Sequence, residues 1–193
     1  VLTFISAPDY ETKSSYTATV TATDGTNSTT QVVTVGVTNL NDNSPAFTSS
    51  ATFSAAENQT AIGTVAASDA DGETLSYSIS GADASSLSIN SSTGVLTFNS
   101  APDYETKSSY TATVTATDGA NDTTQNMTII VTDTNDSAPV FTSNSDFSAA
   151  ENQIAIGSLT ASDPEDDAIT FSISGSELSI TSAGVLTFIS APD

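Results

Sequence analysis

Residues 95–119 read VLTFNSAPDYETKSSYTATVTATDG and residues 1–25 read VLTFISAPDYETKSSYTATVTATDG, identical at 24 of 25 positions at an offset of 94. The same offset carries FSAAENQ at Phe53 onto FSAAENQ at Phe147, and NDNSPAF at Asn41 onto NDSAPVF at Asn135. A period near 94 is too long for a solenoid unit and fits a whole domain, so the chain reads as a tandem array of small domains. The string VLTFISAPD stands at both ends, at 1–9 and at 185–193, in the same mid-domain place. Domain boundaries fall in polar linkers, which predicts a rear half over 1–43, a complete repeat over 44–137 and a front half over 138–193. Two explanations of the halves stay open: a window on a longer array, or halves that complete each other between neighbouring molecules of a polymer.

Inside a repeat the apolar period is two. Tyr110, Ala112, Val114 and Ala116 alternate with threonines, and Met127, Ile129 and Val131 do the same, as half-buried strands require. Further strands are expected at 53–56, 62–67, 75–79, 87–89 and 95–98, separated by turn pairs such as Asp71-Gly72, Thr93-Gly94 and Asp118-Gly119. Seven short strands per repeat predict an all-β chain of seven-stranded Greek-key sandwiches with immunoglobulin-like architecture. No segment shows a helical stripe.

Composition then removes whole classes of chemistry. There are 23 acidic residues against 2 basic ones, a formal charge of -21, which excludes nucleic acid and anionic lipid as partners. His, Cys and Trp are absent. That leaves no imidazole or thiol nucleophile, no His or Cys metal site and no disulfide. No apolar run approaches a membrane span. Acidic, Ser- and Thr-rich and free of cysteine, the chain fits a bacterial surface protein better than a cytosolic one.

The carboxylates recur in five short strings placed at strand ends and loops: AEN, DYE, NDN or NDS, DAD or DPE, and ATD. Clustered Asp, Glu and Asn in loops, without a soft ligand, match what a hard, oxygen-seeking cation needs, and calcium is the candidate outside the cell. Two carboxylates ~5 Å apart repel by roughly 3 kcal/mol at an effective dielectric of about 20, so gathering many of them without a cation would force neighbouring domains apart.

Taken together and in order, NLNDNSPAF, DTNDSAPVF, SDADGETLSYSI, DYE before a Tyr strand, and ATDG resemble the cadherin repeat over the whole chain. The resemblance implies calcium bound at the linkers between successive sandwiches. One linker would use Asp9, Glu11, the Asn41 carbonyl, Asp42, Asn43, Asp69, Asp71 and Asp118. The next would use Glu57, Asp103, Glu105, Asp133, the Asn135 carbonyl, Asp136, Asp163 and Glu165. Asn39 stands where Asp133 supplies a carboxylate, Ser137 where Asn43 supplies an amide oxygen, and Glu165 in place of the second Asp of DAD. The extra charge of Asp133 predicts tighter calcium binding at the second linker.

The function these residues imply is a calcium-rigidified extracellular array, a structural or adhesive stalk or surface filament and not an enzyme. Its expected partners are neighbouring repeats of the same chain or filament, together with cell-surface proteins or polysaccharides. The runner-up is a carbohydrate-binding module, disfavoured by the lack of Trp and the presence of only five Tyr. Ser and Thr without a His or Arg partner make no nucleophile, and the sequons at Asn27, Asn58, Asn90, Asn121, Asn126 and Asn135 are what this composition produces by chance.

Overall fold

A computed structural model describes residues 1–193, whose regular structure is β-strand apart from one short 3-10 turn, joined by turns and irregular loops. The chain forms two compact units, Val1–Ala55 with Gln59–Ala101 and Ser109–Ile130, and Ala56–Asn58 with Pro102–Ser108 and Val131–Asp193.

The first unit opens with a hairpin of β1 (Ser15–Thr23) and β2 (Ser28–Gly36). There follow β3 (Ala46–Phe47), β4 (Thr52–Ala56), β5 (Ala61–Thr64), β6 (Ala67–Ser68), β7 (Ser76–Ser80), β8 (Leu87–Ile89), β9 (Val95–Phe98), β10 (Ser109–Thr117) and β11 (Asp122–Thr132). One sheet has the order β4-β11-β10-β7, another β5-β9-β8, and β3 pairs with β6. The alternation read from sequence is the pleat: Ala112, Val114, Ala116, Met127 and Ile129 are buried while the threonines between them are not. They share the buried set with Val65, Leu87, Leu96 and Phe98 from the other strands. Phe98 meets Tyr110 edge to face at 5.0 Å.

One expected strand, 62–67, is two. β5 pairs with β9 and β6 with β3, so the chain changes sheets between them. The break has a local cause: Val65 N–H donates to the Gly94 carbonyl instead of continuing the β5–β9 ladder, and the Ala66 carbonyl accepts from Thr48 and Ser49. Only glycine fits at 94, with φ +70° and a position where a Cβ would lie 2.1 Å from the Val65 carbonyl oxygen. The one helical turn, Ala84–Ser86, is of 3-10 type.

The second unit holds β12 (Val140–Phe141) paired with β14 (Ala161–Ser162), and a sheet of order β13-β16-β15 made of β13 (Ala155–Ser158), β15 (Leu178–Ile180) and β16 (Val185–Phe188). These repeat β3, β6, β5, β8 and β9 in pairing and register, down to the irregularity after the first residue of β13 and β5. Leu186 is buried as Leu96 is. The fold is all-β throughout.

Candidate metal centre

The first unit gathers Glu11, Asp42 and Asp71 so that one carboxylate oxygen of each lies within 4.8 Å of the others. The second unit does the same with Glu105, Asp136 and Glu165. These are the same three repeat positions, each 94 residues on. A further group joins each: Asp69, Asp71 and Glu73 in the first unit, and Glu57, Glu105 and Asp133 in the second. Asp71 therefore belongs to both groups on one side, and Glu105 to both on the other.

Turn geometry explains how the residues reach these places. The Asp71 carboxylate accepts from the Asp42 N–H at 3.0 Å, the Asn43 N–H at 2.8 Å and the Asn43 amide at 2.8 Å. The loop that carries Asp71 is closed by the Asp71 N–H on Asp69 Oδ1 at 2.9 Å. At the repeat-equivalent place Glu165 accepts from Ser137 N–H at 3.2 Å, and its own N–H rests on Asp163 Oδ1 at 3.1 Å. Glu57 is 4 % exposed and takes the Tyr104 N–H on Oε2 at 2.8 Å and the Thr134 N–H on Oε1 at 2.7 Å, tying the DYE turn to the segment after β11.

Other expected ligands take local roles. Asp9 accepts from Thr12 N–H and Oγ1 at 3.2 and 2.8 Å, and Asp103 does the same with Thr106 at 3.1 and 3.0 Å, so both cap the DYE turn and stand outside the four groups. Asp118 accepts from the Ala120 and Asn121 N–H groups at 2.7 and 2.6 Å. The Asn121 amide donates to Asn41 Oδ1 at 2.7 Å and to the Asn43 carbonyl at 3.0 Å. Asn39, in the place of Asp133, turns its amide to the Asp71 carbonyl at 2.8 Å. Asn135 directs its amide to Asp167, and Asn58 directs its amide to Asp136.

Sequence reasoning passed over Glu73, Asn121, Asn58 and Asp167. Glu73 was legible as the next acid after DADG. Asn121 and Asn58 owe their places to partners about 80 residues away, which no local pattern announces.

The electrostatics show mutual repulsion within the groups. Glu105 is raised above its ordinary 4.5, first by desolvation and then, against its own backbone N–H, by the charges of Glu57, Glu165 and Asp133. Glu73 is raised by desolvation and by the charges of Asp71 and Asp69. For Glu11 its own backbone N–H lowers the carboxyl, but desolvation and the Asp71 and Asp9 carboxylates outweigh it. Asp118 goes the other way: desolvation raises it, and the N–H groups of Asn121 and Ala120 overcome that and hold it at about 2. Buried oxygens without a partner complete the pattern, namely Asp69 Oδ2, Glu73 Oε2 and Glu165 Oε2. Carboxylates pressed together, with orphaned oxygens, are a donor set suited to a hard divalent cation.

Residues 51–132 match the sequence profile of the Cadherin domain. The chain belongs to the cadherin-domain family. It is 37% identical over 153 residues, 72% of its own length, to human Protocadherin Fat 4, of which it spans 3%. It is also 37% identical over 107 residues, 55% of its length, to Chitinase A of Pseudoalteromonas piscicida, of which it spans 13%. Among solved structures, a protocadherin gammaB7 fragment of cadherin domains 3 to 6 superposes with a TM-score of 0.79 at 26% identity, covering 96% of this chain and 54% of that one. No helix is long and apolar enough to cross a membrane.

Proposed function

We propose that this cadherin-domain chain is a calcium-stiffened segment of an extracellular array, serving as a structural or adhesive stalk. The observation that carries the reading is the recurrence of one carboxylate triad, Glu11–Asp42–Asp71 and Glu105–Asp136–Glu165, at the same repeat positions in two separately built places. A merely acidic surface has no reason to converge the same three loops twice. Under this reading Glu57, Glu105, Asp133, Asp136 and Glu165 hold calcium at one linker, and Glu11, Asp42, Asp69, Asp71 and Glu73 at the other. Calcium supplies the positive charge that turns mutual repulsion into cohesion. Asp9, Asp103 and Asp118 shape the turns that present these ligands.

Binding to the folded state alone adds RT ln(1 + [L]/Kd), about 2.7 kcal/mol per site at a hundredfold excess. Chelation is therefore expected to lower the melting temperature by many degrees, and X-ray scattering should show a narrow, elongated distance distribution in calcium and a broader one in chelator. Coincident melting curves in chelator and in millimolar calcium would refute the assignment.

A carbohydrate-binding role is the second reading, favoured by the matching stretch in Chitinase A. Against it stands the absence of Trp and of a flat aromatic platform: among the Tyr residues only Tyr10 is exposed. Retention of the chain on insoluble chitin, released by soluble oligosaccharide, would establish it.

A further inference from the structure

Three oxygens of different kinds converge on one nitrogen beside the first carboxylate group. In the turn between β10 and β11, Asp118 Oδ1 accepts the N–H groups of Ala120 and Asn121 at 2.7 and 2.6 Å. The same turn forms at Asp24, whose Oδ1 takes the N–H groups of Thr26 and Asn27 at 2.8 and 2.7 Å, so the string ATDG-x-N builds it locally. In the complete repeat this turn aims the Asn121 amide at the segment before β3. Asn121 Nδ2 lies 2.7 Å from Asn41 Oδ1, 3.0 Å from the Asn43 carbonyl oxygen and 3.0 Å from Asp118 Oδ2. An amide NH2 has two hydrogens, so three acceptors share two donors. The opposite orientation of the amide would set a fourth oxygen among the three, which fixes the nitrogen at this point.

A side-chain amide oxygen, a backbone carbonyl and a carboxylate are the ligand types that calcium takes, at ~2.3–2.6 Å. Here the same three types surround a nitrogen at 2.7–3.0 Å, the length of an N–H···O hydrogen bond. The half-buried amide therefore stands where a cation would stand, in a shell a few tenths of an ångström wider. Its hydrogens offer partial positive charge without the cost of desolvating an ion. Asn43 carries the effect onward, because its N–H and its amide each hold one oxygen of the Asp71 carboxylate at 2.8 Å. Asp71 is the residue that both acidic groups of this unit share.

We propose that Asn121 is a built-in substitute for a cation: its amide fills the oxygen shell of Asn41, Asn43 and Asp118 and keeps calcium out of it. The amide pins the 41–43 segment to the β10–β11 turn with or without metal. It is a positioning residue for Asp71, acting through Asn43, while the carboxylate groups beside it take the ions. The proposal rests on the calcium reading of those groups only for the identity of the ion that is excluded.

Two measurements on the full chain test it. Asn90 is an internal control, an exposed turn asparagine whose Oδ1 accepts the N–H groups of Ser92 and Thr93, both at 3.0 Å. In side-chain amide NMR the Asn121 NH2 protons should exchange at least about tenfold more slowly than those of Asn90, and to the same extent in chelator and in millimolar calcium. Asn121→Asp keeps the shape, removes both donors and adds a charge to the shell. That variant should bind one calcium more per chain than wild type in equilibrium dialysis, and it should melt below wild type in chelator and recover in calcium. Exchange at Asn121 as fast as at Asn90 in chelator, or loss of its protection when calcium is added, would overturn the proposal, the second because the ion then displaces the amide. Equal calcium stoichiometry in wild type and Asn121→Asp would overturn it as well. A wild type that binds no calcium, with Asn121 protected and one ion gained by Asn121→Asp, would remove the calcium reading of the carboxylate groups while supporting the substitution of amide for cation.

Discussion

Replacing Glu57 by Gln removes one charge and almost no volume at the most buried carboxylate of the chain. Wild-type Glu57 accepts two backbone N–H groups, from Tyr104 and Thr134, at 2.8 and 2.7 Å. The amide keeps one acceptor and turns its NH2 on the other donor, so one charge-assisted bond of ~1.5–3 kcal/mol is lost and a buried N–H is left unsatisfied. Against this, Glu105 and Asp133, within 4.8 Å, are relieved of a like charge. Both are exposed, so water screens that relief and it offsets only part of the loss. The net loss in chelator is therefore roughly 1–3 kcal/mol, and amide exchange at Tyr104 and Thr134 should accelerate by about ten- to a hundredfold. In millimolar calcium the relief disappears because the cation already neutralises the repulsion, so the variant should lose more there. Hydrogen exchange followed residue by residue reads both conditions. Unchanged protection at the two amides would show that Glu57 ties nothing together, and an equal loss in both conditions would detach it from the cation.

Gly94→Ala and Gly184→Ala, whose Cβ atoms would lie 2.1 and 2.3 Å from the Val65 and Leu159 carbonyl oxygens, should each cost about 2–4 kcal/mol in urea titration. Gly119→Ala, with φ +98° but open space around it, should cost only about 1–2 kcal/mol. In chelator, stability should rise as pH falls from 7 towards 4.5, because Glu105, Glu73 and Glu11 are raised in the folded state and gain from protonation. Stability should then fall below 3.8, where Asp24, Asp103 and Asp118 have depressed values, that of Asp118 being about 2. Saturating calcium should abolish the first limb, and melting temperature against pH in the two buffers measures it. Asn121→Ala should move the Asp118 titration upward and weaken the turn by about 1–2 kcal/mol, read by carboxyl NMR titration and thermal melting.

The strands were legible because an apolar period of two has one structural meaning over nine residues, and SYTATVTAT became β10 with the pleat read from sequence. The split of 62–67 was not, because it turns on Gly94 and Ser49, which lie far from that stretch in the chain. Four of the five acidic strings contribute a carboxylate to the groups, but the strings alone do not say which oxygen goes where. In DYE the Asp accepts from a threonine three residues on, while the Glu reaches the carboxylate group. That division follows from side-chain length. Asp, two bonds from the backbone, is suited to capping its own turn, and Glu, one methylene longer, projects beyond it.

The same argument explains why the triad survives the exchange of Asp71 for Glu165. Asp71 is short and fixed by three donors, so its loop must come to the Asp42–Asn43 backbone. Glu165 has the reach to arrive with one backbone donor, and it leaves Oε2 buried and unpartnered. Pre-arranged donors favour the first group. Asp133, standing where Asn39 spends its amide on a carbonyl, adds a charge to the second. Glu73 then returns a charge to the first, so each unit assembles five carboxylates around one shared residue, Asp71 or Glu105. The difference in charge that Asn39 and Asp133 suggest when read alone is thus largely cancelled. What distinguishes the two groups is how firmly each is held: on one side by a loop locked to its neighbour's backbone, on the other by Glu57, which clamps two segments but leaves Glu165 free to adjust.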